Sequence, residues 1–136
     1  MNLFFDACIV IYLIEANEPF CRQLQEKIRH ITKNNPDASI AVSRLSILEC
    51  LVHPLRNQDY HIIEQYRSFF ARQELVIIDL LPEVIEKALW LRVNYNLRTP
   101  DALQAACALE LPHNTSVFLT GDKTFTRVSE LNVHIV

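Results

Sequence analysis

The sequence predicts an α/β fold in three layers, helices on both faces of a mostly parallel sheet of about five short strands. Two observations carry that prediction. Short β-type runs alternate with longer stretches of helical periodicity along the whole chain, and the runs are apolar, as strands covered on both faces must be. Length agrees: 136 residues, 50% of them hydrophobic and 21% charged, suit one domain over residues 1–136. Such a chain buries roughly two-thirds of its unfolded surface in one core.

Taken in order, the expected strands are Asn2–Phe5, Ser39–Val42, Leu75–Ile78, Val117–Thr120 and Val133–Val136. Between the first two, Phe20, Leu24, Ile28 and Ile31 recur at helical spacing, and Ile62, Tyr66, Phe69 and Phe70 do so before the third. The second strand leads into a helix that starts near Ser43 and carries Glu49. Pro82 opens a helix with Ile85, Ala88 and Leu89 on one face. Thr99 reads as an N-cap with Pro100 at the first helical position, ahead of an apolar stretch from Ala102 to Leu109 that is buried on several sides. Gly121 is the only glycine, so left-handed helix ends fall to residues such as Asn35, Asn57 and Asn96. Its place between a strand and Asp122 fits either a tight turn or a backbone that passes close to something.

Composition excludes several classes. The longest apolar run, Cys8 to Ile14, is far short of a membrane span, and Asp6 with no basic start argues against a signal peptide. Cys8, Cys21, Cys50 and Cys107 lie far apart among apolar neighbours, so they read as small buried hydrophobes rather than zinc ligands or disulfides. A reducing, cytoplasmic location follows. The net charge of −3 is unusual for a nucleic-acid binder, although two bound divalent cations would turn it positive.

In an open parallel sheet, ligands bind at the carboxyl ends of the strands. Four carboxylates are expected there: Asp6 after the first strand, Glu49 in the helix after the second, Asp101 in the first turn of R-T-P-D-A-L-Q-A-A, and Asp122 in F-L-T-G-D-K-T-F. All four sit in apolar sequence, where a solvated carboxylate is unexpected. Two carboxylates about 5 Å apart repel by about 3 kcal/mol at an effective dielectric near 20. Such a cluster is protonated or held by a divalent cation, and oxygen ligands without His or Cys favour Mg²⁺ or Mn²⁺ over zinc. Each carboxylate also has a plainer role: Asp101 favours the helix dipole, Glu49 stands in a capping-box spacing from Ser46, and Asp122 caps a short helix. Asp6, between F-F and C-I-V-I, is hardest to explain that way. Glu15, Glu18, Glu26, Glu64, Glu74, Glu83, Glu86 and Glu130 read as solvated. His53, before Pro54, reads as a helix-end cation rather than a general base.

An early Asp after strand one, a mid-chain Glu, a D-A-L-x-A-A helix and a T-x-D-x-x-F strand end resemble, in that order, the PIN-domain family. The VapC-type toxins of type II toxin–antitoxin systems resemble the chain most, from Asn2 to Val136. The resemblance implies a PIN-like three-layer α/β/α sandwich and a Mg²⁺- or Mn²⁺-dependent endoribonuclease. It implies that Asp6, Glu49, Asp101 and Asp122 are both the metal-binding and the catalytic residues, with Thr120 a polar position beside them. It further implies an RNA substrate, a homodimer and a cognate antitoxin that lays a C-terminal segment across the groove. The family often has a hydroxyl or amide residue just after the first Asp, where this chain has Ala7-Cys8; Ser43 is a candidate substitute. Arg44, Arg98, Lys123 and Arg127 adjoin the pocket and could meet phosphates, although each taken singly reads better as a solvated surface cation.

Other readings are a non-catalytic PIN-like interaction module, a stand-alone RNA-processing nuclease and a metal-dependent phosphatase. Retention of all four acids argues against the first. The last lacks the D-x-D it needs, since Cys8 fills the second position. A nucleotide-binding fold lacks its glycine-rich loop.

Overall fold

The structure, a computed structural model spanning Met1–Val136, is built on β1 (Asn2–Phe5), β2 (Ser39–Ser43), β3 (Val76–Ile78), β4 (Ser116–Thr120) and β5 (Val133–Ile135). They form one sheet in the order β3-β2-β1-β4-β5, and every pairing is parallel. The helices are α1 (Ala7–Ile14), α2 (Phe20–Thr32), α3 (Leu45–Arg56), α4 (Tyr60–Phe70), α5 (Pro82–Tyr95) and α6 (Thr99–Ala108). Short 3-10 helices occupy His113–Thr115 and Lys123–Arg127. No helix is long and apolar enough to cross a membrane.

Side-chain alternation in the strands sorts the interior into two layers. Leu3, Phe5, Val42, Val117 and Leu119 face α1 to α4, meeting Ile9, Leu24, Leu51 and Tyr66. Phe4, Ala41 and Phe118 face the other way, against α5 and α6. Phe4 stacks on Phe118 at 5.3 Å between ring centroids, and Phe118 meets Phe125 at 4.7 Å. The run Ala105, Ala106, Cys107 and Ala108 is small enough for α6 to lie close over β2 and beside α5.

Several local expectations give way to tertiary context. The apolar run Cys8–Ile14, to which periodicity assigns no element, is α1; it is apolar all round, so no 3.6-residue stripe exists to be read. Ser43 closes β2 and α3 begins at Leu45. On α5 the inward residues are Val84, Ala88 and Leu91, whereas Ile85 and Leu89 are 48% and 59% exposed. Both triplets have helical spacing, so the pattern alone cannot choose the buried face. Thr99 is not the cap of α6: Arg98 holds the extended cap position, and the Thr99 hydroxyl accepts from Arg92. Left-handed backbone occurs at Asn96 (φ 54°) as expected, but otherwise at Ala16 (φ 52°) and Gln58 (φ 53°) rather than at Asn35 and Asn57. Asn57 caps α3 with φ −89°, passing the left-handed position to its neighbour.

The strand order reverses once. The chain builds β1, β2 and β3 outward on one side, then returns to lay β4 and β5 on the other. The crevice of such a sheet opens beyond the carboxyl ends of β1 and β4.

Candidate functional site

Asp6 leaves β1 with extended backbone and caps α1. Its Oδ1 accepts from the Ile9 amide at 3.1 Å and from Cys8 Sγ at 2.9 Å, and its Oδ2 accepts from the Thr120 hydroxyl at the end of β4. Burial pushes its carboxyl up to about 6; the donors from Cys8, Thr120 and Ile9 oppose the shift, and the charge of Glu49 adds to it. Burial and the neighbouring Asp6 charge push the Cys8 thiol up as well, which keeps it protonated and a donor. The supporting groups absent from the position after Asp6 are therefore supplied by Thr120 and Cys8, not by Ser43. Thr120 also accepts from the Asp122 amide at 3.0 Å, and Gly121 N–H donates to Cys8 Sγ at 3.3 Å. The ends of β1 and β4 are thus tied together. Gly121 has no positive φ, and a Cβ there would stand 2.6 Å from the Tyr12 phenol oxygen, so close approach explains the glycine.

Glu49, half-buried on α3, is raised chiefly by burial; the Gln104 amide opposes this and the charge of Asp101 adds to it. Asp101, half-buried in the first turn of α6, is raised by burial and by Asp122, with Arg98 opposing. Asp122 is exposed, contrary to its apolar sequence setting, and its Oδ1 caps the 3-10 helix by accepting from Thr124 N–H at 2.8 Å. The cap leaves acceptor positions free, because a carboxylate has about four. Each acid senses the next: Asp6 with Glu49, Glu49 with Asp101, Asp101 with Asp122. The fold has gathered all four at one end of the sheet.

No three of these groups converge into a ready-made metal cage. A closed zinc site is therefore a poor fit. A hard cation that keeps several waters and takes only one or two carboxylates directly fits better. The donor set is all oxygen, and a bound cation would relieve the burial and mutual repulsion that raise Asp6, Glu49 and Asp101. Asp101 and Asp122 line a cavity of about 500 Å³ together with Arg92, Asn96, Arg98 and Arg127. A larger groove of about 720 Å³, between the end of α1 and α4, contains none of the four acids.

The remaining expected residues divide. Arg98 and Arg127 line the cavity, and Lys123 is exposed at the start of the 3-10 helix. Arg44 is held by Asp79 at 2.6 Å on the exposed surface. Ser43 is fully buried, its hydroxyl accepting from Leu45 N–H and Cys107 Sγ, so it reaches no substrate. Thr120 is buried too and acts on Asp6. His53 is exposed in the last turn of α3. Of the acids read as solvated, Glu15 is exposed and still accepts from the buried Tyr66 phenol, whereas Glu130 is half-buried and accepts from Tyr95 Oη at 2.6 Å. Gln104, Arg92 and Asn96 escaped the sequence reading. Gln104 left a signal, as the one polar side chain in the apolar stretch from Ala102 to Leu109.

The model of the PIN domain family matches residues 3–131. The chain belongs to the PIN domain family. Solved structures agree with this fold. VapBC2 from Rickettsia felis, bound to a promoter DNA fragment, has a TM-score of 0.74 at 18% identity, covering 100% of this PIN domain chain and 99% of that one. VapBC-1 from nontypeable Haemophilus influenzae gives 0.73 at 18%, covering 99% and 98%. A toxin–antitoxin complex from Klebsiella pneumoniae gives 0.69 at 22%, covering 98% and 99%. No curated protein matches the chain in sequence.

Proposed function

We propose that this PIN domain is a Mg²⁺- or Mn²⁺-dependent endoribonuclease, the toxin of a toxin–antitoxin pair acting in the cytoplasm. The observation that carries the reading is the placement of four carboxylates, Asp6 and Asp122 after β1 and β4, Glu49 on α3 and Asp101 on α6, with a cavity lined by arginines beside Asp101 and Asp122. Among Asp6, Glu49, Asp101 and Asp122, one or two would hold the cation directly and the others through its waters. When bound, it supplies activation of water and charge neutralisation at a phosphodiester. The protein does the rest. Thr120, Cys8 and the Ile9 amide keep the Asp6 carboxylate oriented. Arg98 and Arg127, which share the cavity with Asp101 and Asp122, would meet phosphate oxygens, with Lys123 nearby. The cavity gives RNA a locally basic seat on a chain of net charge −3.

The toxin assignment draws on the likeness to toxin–antitoxin complexes, and the partner it implies is an antitoxin laid across the carboxylate groove of a homodimer. The deciding experiment is cleavage of a mixed RNA pool with Mg²⁺ or Mn²⁺, with EDTA and Asp6→Asn as controls. Discrete cuts that vanish in both controls support the nuclease. A folded, metal-supplied chain that cuts nothing supports a non-catalytic interaction module. Growth arrest on expression, absent with Asp6→Asn, separates a toxin from a stand-alone processing nuclease.

A further inference from the structure

Gln104 touches the site only through Glu49, yet it is only 3% exposed on a helix otherwise lined with alanines. It lies one turn beyond Asp101, on the same side of α6. Its amide Nε2 makes two bonds across to α3: to Glu49 Oε1 at 2.9 Å and to Ser46 Oγ at 3.0 Å. Its Oε1 is buried without any donor. Turning the amide over would let Oε1 accept from the Ser46 hydroxyl, but would set it against the Glu49 carboxylate oxygen, acceptor against acceptor. The orphaned carbonyl is thus the consequence of spending both N–H groups on α3, and the amide orientation is the one that serves an ionised Glu49. A methionine or leucine would fill the same space with no unpaired atom.

We propose that Gln104 is a positioning residue for Glu49: its amide, anchored by Ser46, fixes the carboxylate in the orientation in which it meets a divalent cation. Asp101 and the support for Glu49 then travel on one rigid helix, so two of the four acids keep their spacing through α6. The inference rests on the metal-site reading above. It differs from a plain tie between α3 and α6, because such a tie would act on stability and not on the cation.

The test is Mn²⁺ affinity of the purified chain, by calorimetry or by loss of the free-ion EPR signal, together with a thermal melt. Wild type that binds no Mn²⁺ overturns the metal reading itself, and this inference with it. Where wild type binds, Gln104→Met is expected to melt near wild type and to lose about 10- to 100-fold in Mn²⁺ affinity, as removal of a ligand's supporting partner does. Ser46→Ala, which removes the anchor but leaves the amide on Glu49, should lower affinity by less than Gln104→Met does, and a larger loss than in Gln104→Met would overturn the assignment. In a Glu49→Ala background, Gln104→Met should have no further effect on Mn²⁺. Gln104→Asn, which keeps an amide one methylene too short to span, replaces the methionine variant if that does not fold. Affinity within twofold of wild type in the folded Gln104 variant, or an equal loss with Glu49 already removed, overturns the assignment.

Discussion

Burial raises the Asp6 carboxyl to about 6 from an ordinary 3.8, so between those values the folded chain holds a proton that the unfolded chain has released. The stabilising contribution of Asp6 is therefore full below about 3.8 and is lost as pH rises through about 6. Metal-free Asp6→Asn is accordingly expected to melt above wild type at pH 7, with the gap closing near pH 4. An equal gap at both pH values would show that Asp6 is not strained by burial. If Asp6 serves the proposed nuclease as an ionised carboxylate, cleavage should rise with pH through about 6, earlier at high metal because the cation competes with the proton. Thr120→Val removes the Thr120 hydroxyl, a donor that holds the carboxyl down, so the rise should move to higher pH. A pH–rate profile with saturating RNA reads this directly; an unmoved profile would assign Thr120 to packing alone.

Helix faces and helix ends are where this chain departs from its pattern, and they can be tested as elements. Leu91 is fully buried under α5 and Leu89 is 59% exposed. Leu91→Ala should cost about 2–5 kcal/mol. Leu89→Ala should cost less than about 0.5 kcal/mol. Urea midpoints of the two variants check the assignment of the inward face, and reversed costs would mean that α5 is rotated. Ala16 has φ 52° after α1, a conformation that costs an L-residue about 1–2 kcal/mol. Ala16→Gly relieves that strain but loosens the unfolded chain, leaving an expected net gain of about 0.5–1 kcal/mol. A lower midpoint for the variant would contradict the left-handed assignment.

On the scale of the whole molecule, net charge of −3 repels a polyanion, so the proposed binding of RNA would rely on local cations. Arg98 and Arg127 share one cavity with Asp101 and Asp122, whereas Arg44 is held by Asp79. Arg98→Ala and Arg127→Ala should each raise KM several-fold with little change in kcat. Each should also lower the slope of log affinity against log salt by about 1, the signature of one lost phosphate contact. Arg44→Ala should do neither. Titration of RNA binding and cleavage against KCl separates these outcomes, and a kcat effect without a KM effect would move the arginines to the reacting phosphate.

The sequence alone determined the sheet and the acids. Apolar β-type runs bounded by polar residues set the strands almost to the residue, as β1 at Asn2–Phe5 illustrates, and the strand–helix alternation required parallel pairing. Because ligands meet such a sheet at its carboxyl edge, Asp6, Glu49, Asp101 and Asp122 could be named before any geometry was known. Their assembly was decided by strand order: only the return of β4 to the free side of β1 sets Thr120 and Gly121 beside Asp6 and Cys8. Rotation about helix axes was also a tertiary matter, since α1 and α5 are apolar on more than one side and present no single stripe. The partners of the acids were hidden for a related reason. A hydrogen bond such as Gln104 to Glu49 spans 55 residues of chain, and no local pattern encodes which buried amide will meet which carboxylate.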